Sequence, residues 1–230
     1  MLGRLLEVAL VTGDTGEEWQ RFQQLGFEPA PTGDIWSHAY GVVACEGLAI
    51  GLHAKGEEPL SVVYVREDVA ALHRELTALG LEAEQARLGS DVFNELTLRE
   101  PGGTALKVLE ARSFSPPTHL PARTVPGTFR WLSLPCRDPQ DAMQFWSALG
   151  EECTVMEKPF EGFTIGESLA CHARSLFPGP LLVFNAPDDN AREALRYAGY
   201  EIRPRLAMAD VPHLVARGPE PLTLLMLNPL

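Results

Sequence analysis

Four amphipathic stretches of this 230-residue chain end on one signal: Leu25-Gly26-Phe27-Glu28, Leu79-Gly80-Leu81-Glu82, Leu149-Gly150-Glu151-Glu152 and Ala198-Gly199-Tyr200-Glu201. Glycine adopts the left-handed conformation that closes a helix, and the residue after it re-enters a sheet. A signal repeated at this spacing means that one supersecondary unit recurs, and a repeat of structure requires no shared chemistry.

The clearest copy runs over 60–82. Val62, Val63 and Val65 read as a strand, Glu67 and Asp68 suit the positive end of a helix, and Val69, Leu72, Leu76 and Leu79 recur at helical spacing. The first copy has a strand over 5–11, Thr15 as expected N-cap and a helix carrying Trp19, Phe22 and Leu25. Strands over 36–45 and 48–54 follow, turned by Glu46-Gly47. The second copy closes with strands over 93–98 and 104–110, joined by Glu100-Pro101-Gly102-Gly103. The third begins with a strand over 129–134, then Asp138 as N-cap with Pro139 at the first helical position. The fourth has a strand over 181–184, a helix after Asp188-Asp189 and strands over 201–203, 213–216 and 222–228. Prolines 116, 117, 121 and 126 mark 113–127 as a semi-rigid linker, so the expected domains are 1–112 and 128–230.

Nineteen basic against 31 acidic residues leave a formal charge of -12, a field that repels phosphate backbones and anionic lipid. Nucleic acid and membrane are therefore not expected partners. The apolar run at the start is too short to span a bilayer, and the chain is read as cytoplasmic. Four cysteines without a C-x-x-C pair fit reduced thiols.

Paired β-α-β-β-β units with acidic helix starts, L-G-F-E style stops and the terminal hairpin Glu100-Pro101-Gly102-Gly103 through Glu110 resemble the vicinal oxygen chelate superfamily, the glyoxalase, bleomycin-resistance and extradiol dioxygenase group. The resemblance implies an α+β fold: four βαβββ modules paired into two glyoxalase-like domains, each a curved, incompletely closed eight-stranded sheet with helices outside and a ligand cup within. It also implies four strand positions per cup that hold one divalent ion in metal-dependent members. Those positions fall on Glu7, Gly51, Leu60 and Lys107 in the first cup and on Trp131, His172, about Pro180, and Leu225 in the second. Neither set offers enough carboxylate or imidazole donors, so no metal and no other cofactor is expected.

The residues expected to line the first cup are Glu7, Trp36, His38, Tyr40, His53, Tyr64 and Lys107. Trp36, His38 and Tyr40 alternate at strand spacing, which suits either a pocket wall or a core-facing strand. Glu7 and Lys107 are expected to pair across the cup in place of the ion, since a buried charge needs a partner. Trp131, Phe163, His172 and Met226 are expected to line a narrower, more apolar second cup. No nucleophile motif occurs, and no catalytic residue is assigned. The leading expectation is a glyoxalase/bleomycin-resistance-like protein that binds a small, partly apolar organic molecule without metal. Two alternatives stand beside it: a metal-dependent lyase, isomerase or dioxygenase of the same superfamily, and a structural or partner-binding protein with both cups filled. The fused halves would mimic the dimer of single-domain relatives, and a homodimer of the whole chain stays open.

Overall fold

A computed structural model describes residues 1–31, 37–111, 119–206, 208, 211–218 and 221–227. Trp36 lies outside the described residues, as do Pro116 and Pro117 of the expected linker.

The first module consists of β1 (Arg4–Val11), α1 (Thr15–Gln24), β2 (Glu28–Ala30), β3 (Tyr40–Cys45) and β4 (Leu48–His53). The second consists of β5 (Leu60–Arg66), α2 (Val69–Ala78), β6 (Gln85–Arg87), β7 (Glu95–Arg99) and β8 (Ala105–Glu110). In the other half, β9 (Thr128–Cys136), α3 (Pro139–Ala148), β10 (Cys153–Met156), β11 (Gly162–Ile165) and β12 (Leu169–Ala173) form the third module. β13 (Leu181–Asn185), α4 (Ala191–Tyr197), β14 (Glu201–Arg203), β15 (His213–Arg217) and β16 (Thr223–Leu227) form the fourth.

All four helix stops share one backbone geometry. The glycines have φ of 85°, 72°, 78° and 85°. Each following residue donates five residues back into the helix, Phe27 to the Phe22 carbonyl, Leu81 to Leu76, Glu151 to Trp146 and Tyr200 to Leu195, while the glycine itself donates to the carbonyl three before it. That double bond satisfies the last carbonyls and turns the chain out of the helix. At the helix starts, Asp14 rather than Thr15 is the cap, accepting from the N–H groups of Gly16 and Glu17 at 2.9 Å. Asp68 and Asp138 do the same for α2 and α3.

The strands form two open eight-stranded mixed sheets of matching order, β2-β3-β4-β1-β5-β8-β7-β6 and β10-β11-β12-β9-β13-β16-β15-β14. Within a module the first and last strands run parallel, as β1 with β4 and β5 with β8, and the modules join antiparallel at β1 and β5. One face of each sheet carries its helices. Apolar residues from these faces and from the helices merge into a single cluster spanning both halves, with the Phe27 and Phe184 rings edge to face at 6.3 Å across the join. The opposite face of each sheet is left as a cup floor. Among the described residues no helix is long and apolar enough to cross a membrane.

Register decides which side chains reach the cups. Glu7 pairs with Val63, Val63 with Lys107 and Lys107 with Thr97, so these four stand in one row on the floor of the first cup. A bulge between Leu5 and Glu7 interrupts β1 just before this row. Leu60 and Tyr64 lie on the other face, registered with Leu10 and Leu5, and both belong to the central cluster. Phe163, paired with Cys171, and Met226, paired with Phe184, are also in that cluster. Tyr64, Phe163 and Met226 therefore pack in the core rather than line a cup.

Candidate functional site

On the floor of the first cup the Glu7 side chain leans across β4, where Gly51 leaves the space. A Cβ on Gly51 would stand 2.3 Å from the Glu7 Cδ and from both of its carboxylate oxygens. Glycine at this position is thus the room into which the carboxylate fits, and the row above it supplies its partners. The Tyr40 hydroxyl donates to Oε2 at 2.7 Å, and His53 Nε2 lies 3.1 Å from Oε1. His53 Nδ1 in turn sits 3.1 Å from Nε2 of His38. A carboxylate accepts only, so His53 turns Nε2–H toward Glu7, and in its neutral form Nδ1 accepts from His38. The result is a continuous hydrogen-bonded line from a buried carboxylate through a buried imidazole to the half-buried ring of His38.

Physical chemistry favours each step of this line. Burying a carboxylate costs several kcal/mol unless its oxygens are hydrogen-bonded, and both oxygens of Glu7 are. Tyr40 and His53 also stack, with ring centroids 4.5 Å apart. Loss of solvent, with smaller electrostatic effects from the neighbouring His53 and Lys55, holds the His38 imidazole below its usual pKa and so neutral near pH 7. The expected Glu7–Lys107 ion pair does not form: Glu7 uses the imidazole and the phenol on its β4 side, and Lys107 stands two strands away toward β7.

Solvent reaches this floor on either side of β5, which is itself buried. Ala9, Val11, Lys107, Leu109 and Thr97 are all half-buried although they lie on inner strands. In the second cup the equivalent surface is closed. Leu181, Val183 and Leu225 are fully buried beneath Phe160, with Met156, Leu176, Phe177, Leu206, Met208 and Val211 packed around them. The histidines there fasten the covering loops. His172 Nε2–H donates to the Phe177 carbonyl at 3.0 Å, so its Nδ1 accepts the Ser133 hydroxyl at 2.8 Å, and burial lowers its pKa to about 4. His213 accepts from the Leu206 N–H at 2.9 Å and donates to the Val211 carbonyl at 2.7 Å. Trp131 sits at the edge of this plug. Neither the Phe160 and Phe177 cover nor the role of His213 was visible in the sequence. The available signal was a set of apolar residues, Leu176, Phe177, Leu206 and Met208, in stretches without periodicity.

The donors at the positions implied by family resemblance do not suit a divalent ion. In the first cup they are one carboxylate whose oxygens are both engaged, a glycine that the carboxylate fills, Leu60 on the wrong face and an ammonium. In the second cup the one imidazole has both nitrogens committed. Among the described residues no three His, Cys, Asp or Glu side chains converge on a common point.

No protein-family model and no curated protein matches this sequence. Solved structures do. The chain is similar to 2,2',3-trihydroxybiphenyl 1,2-dioxygenase from Sphingomonas wittichii strain RW1, with 14% identity, TM-score 0.58 and coverage of 100% of this chain and 90% of that one. An extradiol ring-cleaving dioxygenase from B. fuscum superposes with TM-score 0.64 at 13% identity, covering 98% and 71%. The Mn(II)-bound glyoxalase from Novosphingobium aromaticivorans gives 0.56 at 12% identity, covering 98% and 81%. All three span both halves of the chain, and the likeness is one of fold.

Proposed function

We propose that this chain, whose fold is that of the vicinal oxygen chelate superfamily, binds a small, partly apolar organic molecule in its first cup, without a divalent ion. What supports this reading is the difference between the two floors. The first combines small and apolar surface, the half-buried Ala9 and Val11, with a polar line that runs from the buried Glu7 and His53 to the half-buried Tyr40 and His38. The second is packed shut by its own loops. A concave, mostly apolar surface with a few convergent polar groups is the usual form of a small-molecule site. Such a site serves sequestration of the molecule, or chemistry in which Glu7 and the two imidazoles hold and pass a proton.

A second reading, a metal-dependent lyase, isomerase or dioxygenase, draws on the neighbours, which include dioxygenases and a Mn(II)-bound glyoxalase. It would require donors other than those at the positions above.

A thermal-shift screen of the full chain against small aromatic and heterocyclic compounds tests the first reading, since a ligand that binds only the native state raises the melting point. Ala9→Trp, which fills the first floor, is expected to remove the shift. Retention of the full shift in that variant would place binding elsewhere and refute the reading.

A further inference from the structure

We propose that the molecule received by the first cup is a monoanion, a small carboxylate, whose negative end is held by Lys107. This rests on the binding role proposed for that cup and names the chemistry it selects.

Lys107 is a cation on an inner strand, half-buried, with its row on the cup floor fixed by pairing to Val63 and Thr97. Among the described residues no carboxylate lies within 4.0 Å of its ammonium. The acidic groups around it are committed elsewhere. Glu7 accepts from Tyr40 and His53. Glu58 accepts from Arg99 at 2.6 Å, and this bond is the main reason its carboxyl stays below the ordinary range, with Lys107 the weakest influence. Arg99, the neighbouring cation on β7, is itself engaged by Glu58, Glu84 and the Gly103 carbonyl.

A half-buried ammonium is partly stripped of water and gains most from an acceptor brought to it. Between Lys107 and Glu7 stands the single strand β5, so the two side chains are rooted about 10 Å apart. The floor between them is made of Val63, Ser61 and Ala105, all buried, and of Ala9, which is half-buried. A ligand resting over Ala9 and spanning this distance would set its acidic group at Lys107 beside the Thr97 hydroxyl and its other end against Tyr40 and the histidines. One cation and one hydroxyl match a single negative charge, whereas a phosphate dianion would need more donors. The overall charge of -12 does not oppose this, because charges beyond about 8 Å are screened at physiological salt while the ammonium is in contact.

Matched probes decide it. The full chain is titrated with benzoate and phenylacetate, with their amides and with benzylamine, by calorimetry and thermal shift, in the native protein and in Lys107→Met, Lys107→Arg and Ala9→Trp. The carboxylates are expected to bind and their amides to bind roughly ten- to a hundredfold more weakly, the range for one charge-assisted hydrogen bond. Lys107→Met should erase that preference, Lys107→Arg should keep most of it, and added salt should weaken carboxylates alone. Amides or benzylamine binding as well as carboxylates, with sensitivity to Ala9→Trp, would overturn the anion assignment and leave the binding cup standing. Absence of binding by every probe would overturn both.

Discussion

Replacing Gly51 by alanine tests the packing on which the first cup depends. Gly51 does not have a positive φ, so alanine is conformationally allowed, and in an ordinary strand the change would stabilise by about 0.5–1 kcal/mol. Here the new Cβ would lie 2.3 Å from three atoms of the Glu7 carboxylate. Ordinary contact requires the carboxylate to retreat by roughly 1 Å. It has no slack for that, being almost fully buried and bonded at 2.7 Å to Tyr40 and 3.1 Å to His53. Hydrogen bonds to a charged group are worth about 1.5–3 kcal/mol each, so losing both outweighs the strand gain and leaves a net cost of about 2–5 kcal/mol. Urea unfolding of the native chain, Gly51→Ala, Glu7→Ala and the double variant forms a closed cycle. With Glu7 truncated the obstacle disappears, and Gly51→Ala should then stabilise. A Gly51→Ala variant as stable as the native chain, or one that loses as much without Glu7 as with it, would mean that the Glu7 carboxylate does not depend on the space at Gly51.

Other outcomes follow from the same geometry. Burial lowers the His172 pKa from 6.5 to about 4, so the unfolded chain binds the extra proton first. At about 1.4 kcal/mol per pH unit, up to about 3 kcal/mol of stability should be lost as pH falls from 6.5 to about 4. Urea midpoints across that window should be flatter for His172→Asn than for the native chain, and equal slopes would contradict the assignment. Cys45 is buried and its thiol is pushed up to about 12, chiefly by burial, so iodoacetamide at pH 8 should modify it only after denaturation; mass spectrometry showing rapid labelling of the native chain would disagree.

The module repeat is legible in the residues because a Gly after an amphipathic run has one common use, and all four glycines have it. The helix start is displaced by one residue, from Thr15 to Asp14, because either side chain can cap and the carboxylate reaches two backbone N–H groups at once. Which face a strand presents is harder to read. β5 is buried on both sides along nearly its whole length, so alternation gives a period without a phase, and Tyr64 and Leu60 went to the core. Phe163 and Met226 are the same case in the second sheet. Lys107 and Glu7 share a row through Val63, but whether they pair depends on where a side chain leans. That is settled by an empty space at Gly51 two strands from the lysine, which no residue pattern announces. The plugging of the second cup comes from loops, whose apolar residues carry no period.

The proposal that the first cup works without a divalent ion meets its most direct test in elemental analysis of the full chain, purified without chelator and dialysed against zinc, manganese and ferrous iron. Well under one ion per chain is expected, with the same residual content in Glu7→Ala as in the native protein. One ion per chain that is lost in Glu7→Ala would contradict it.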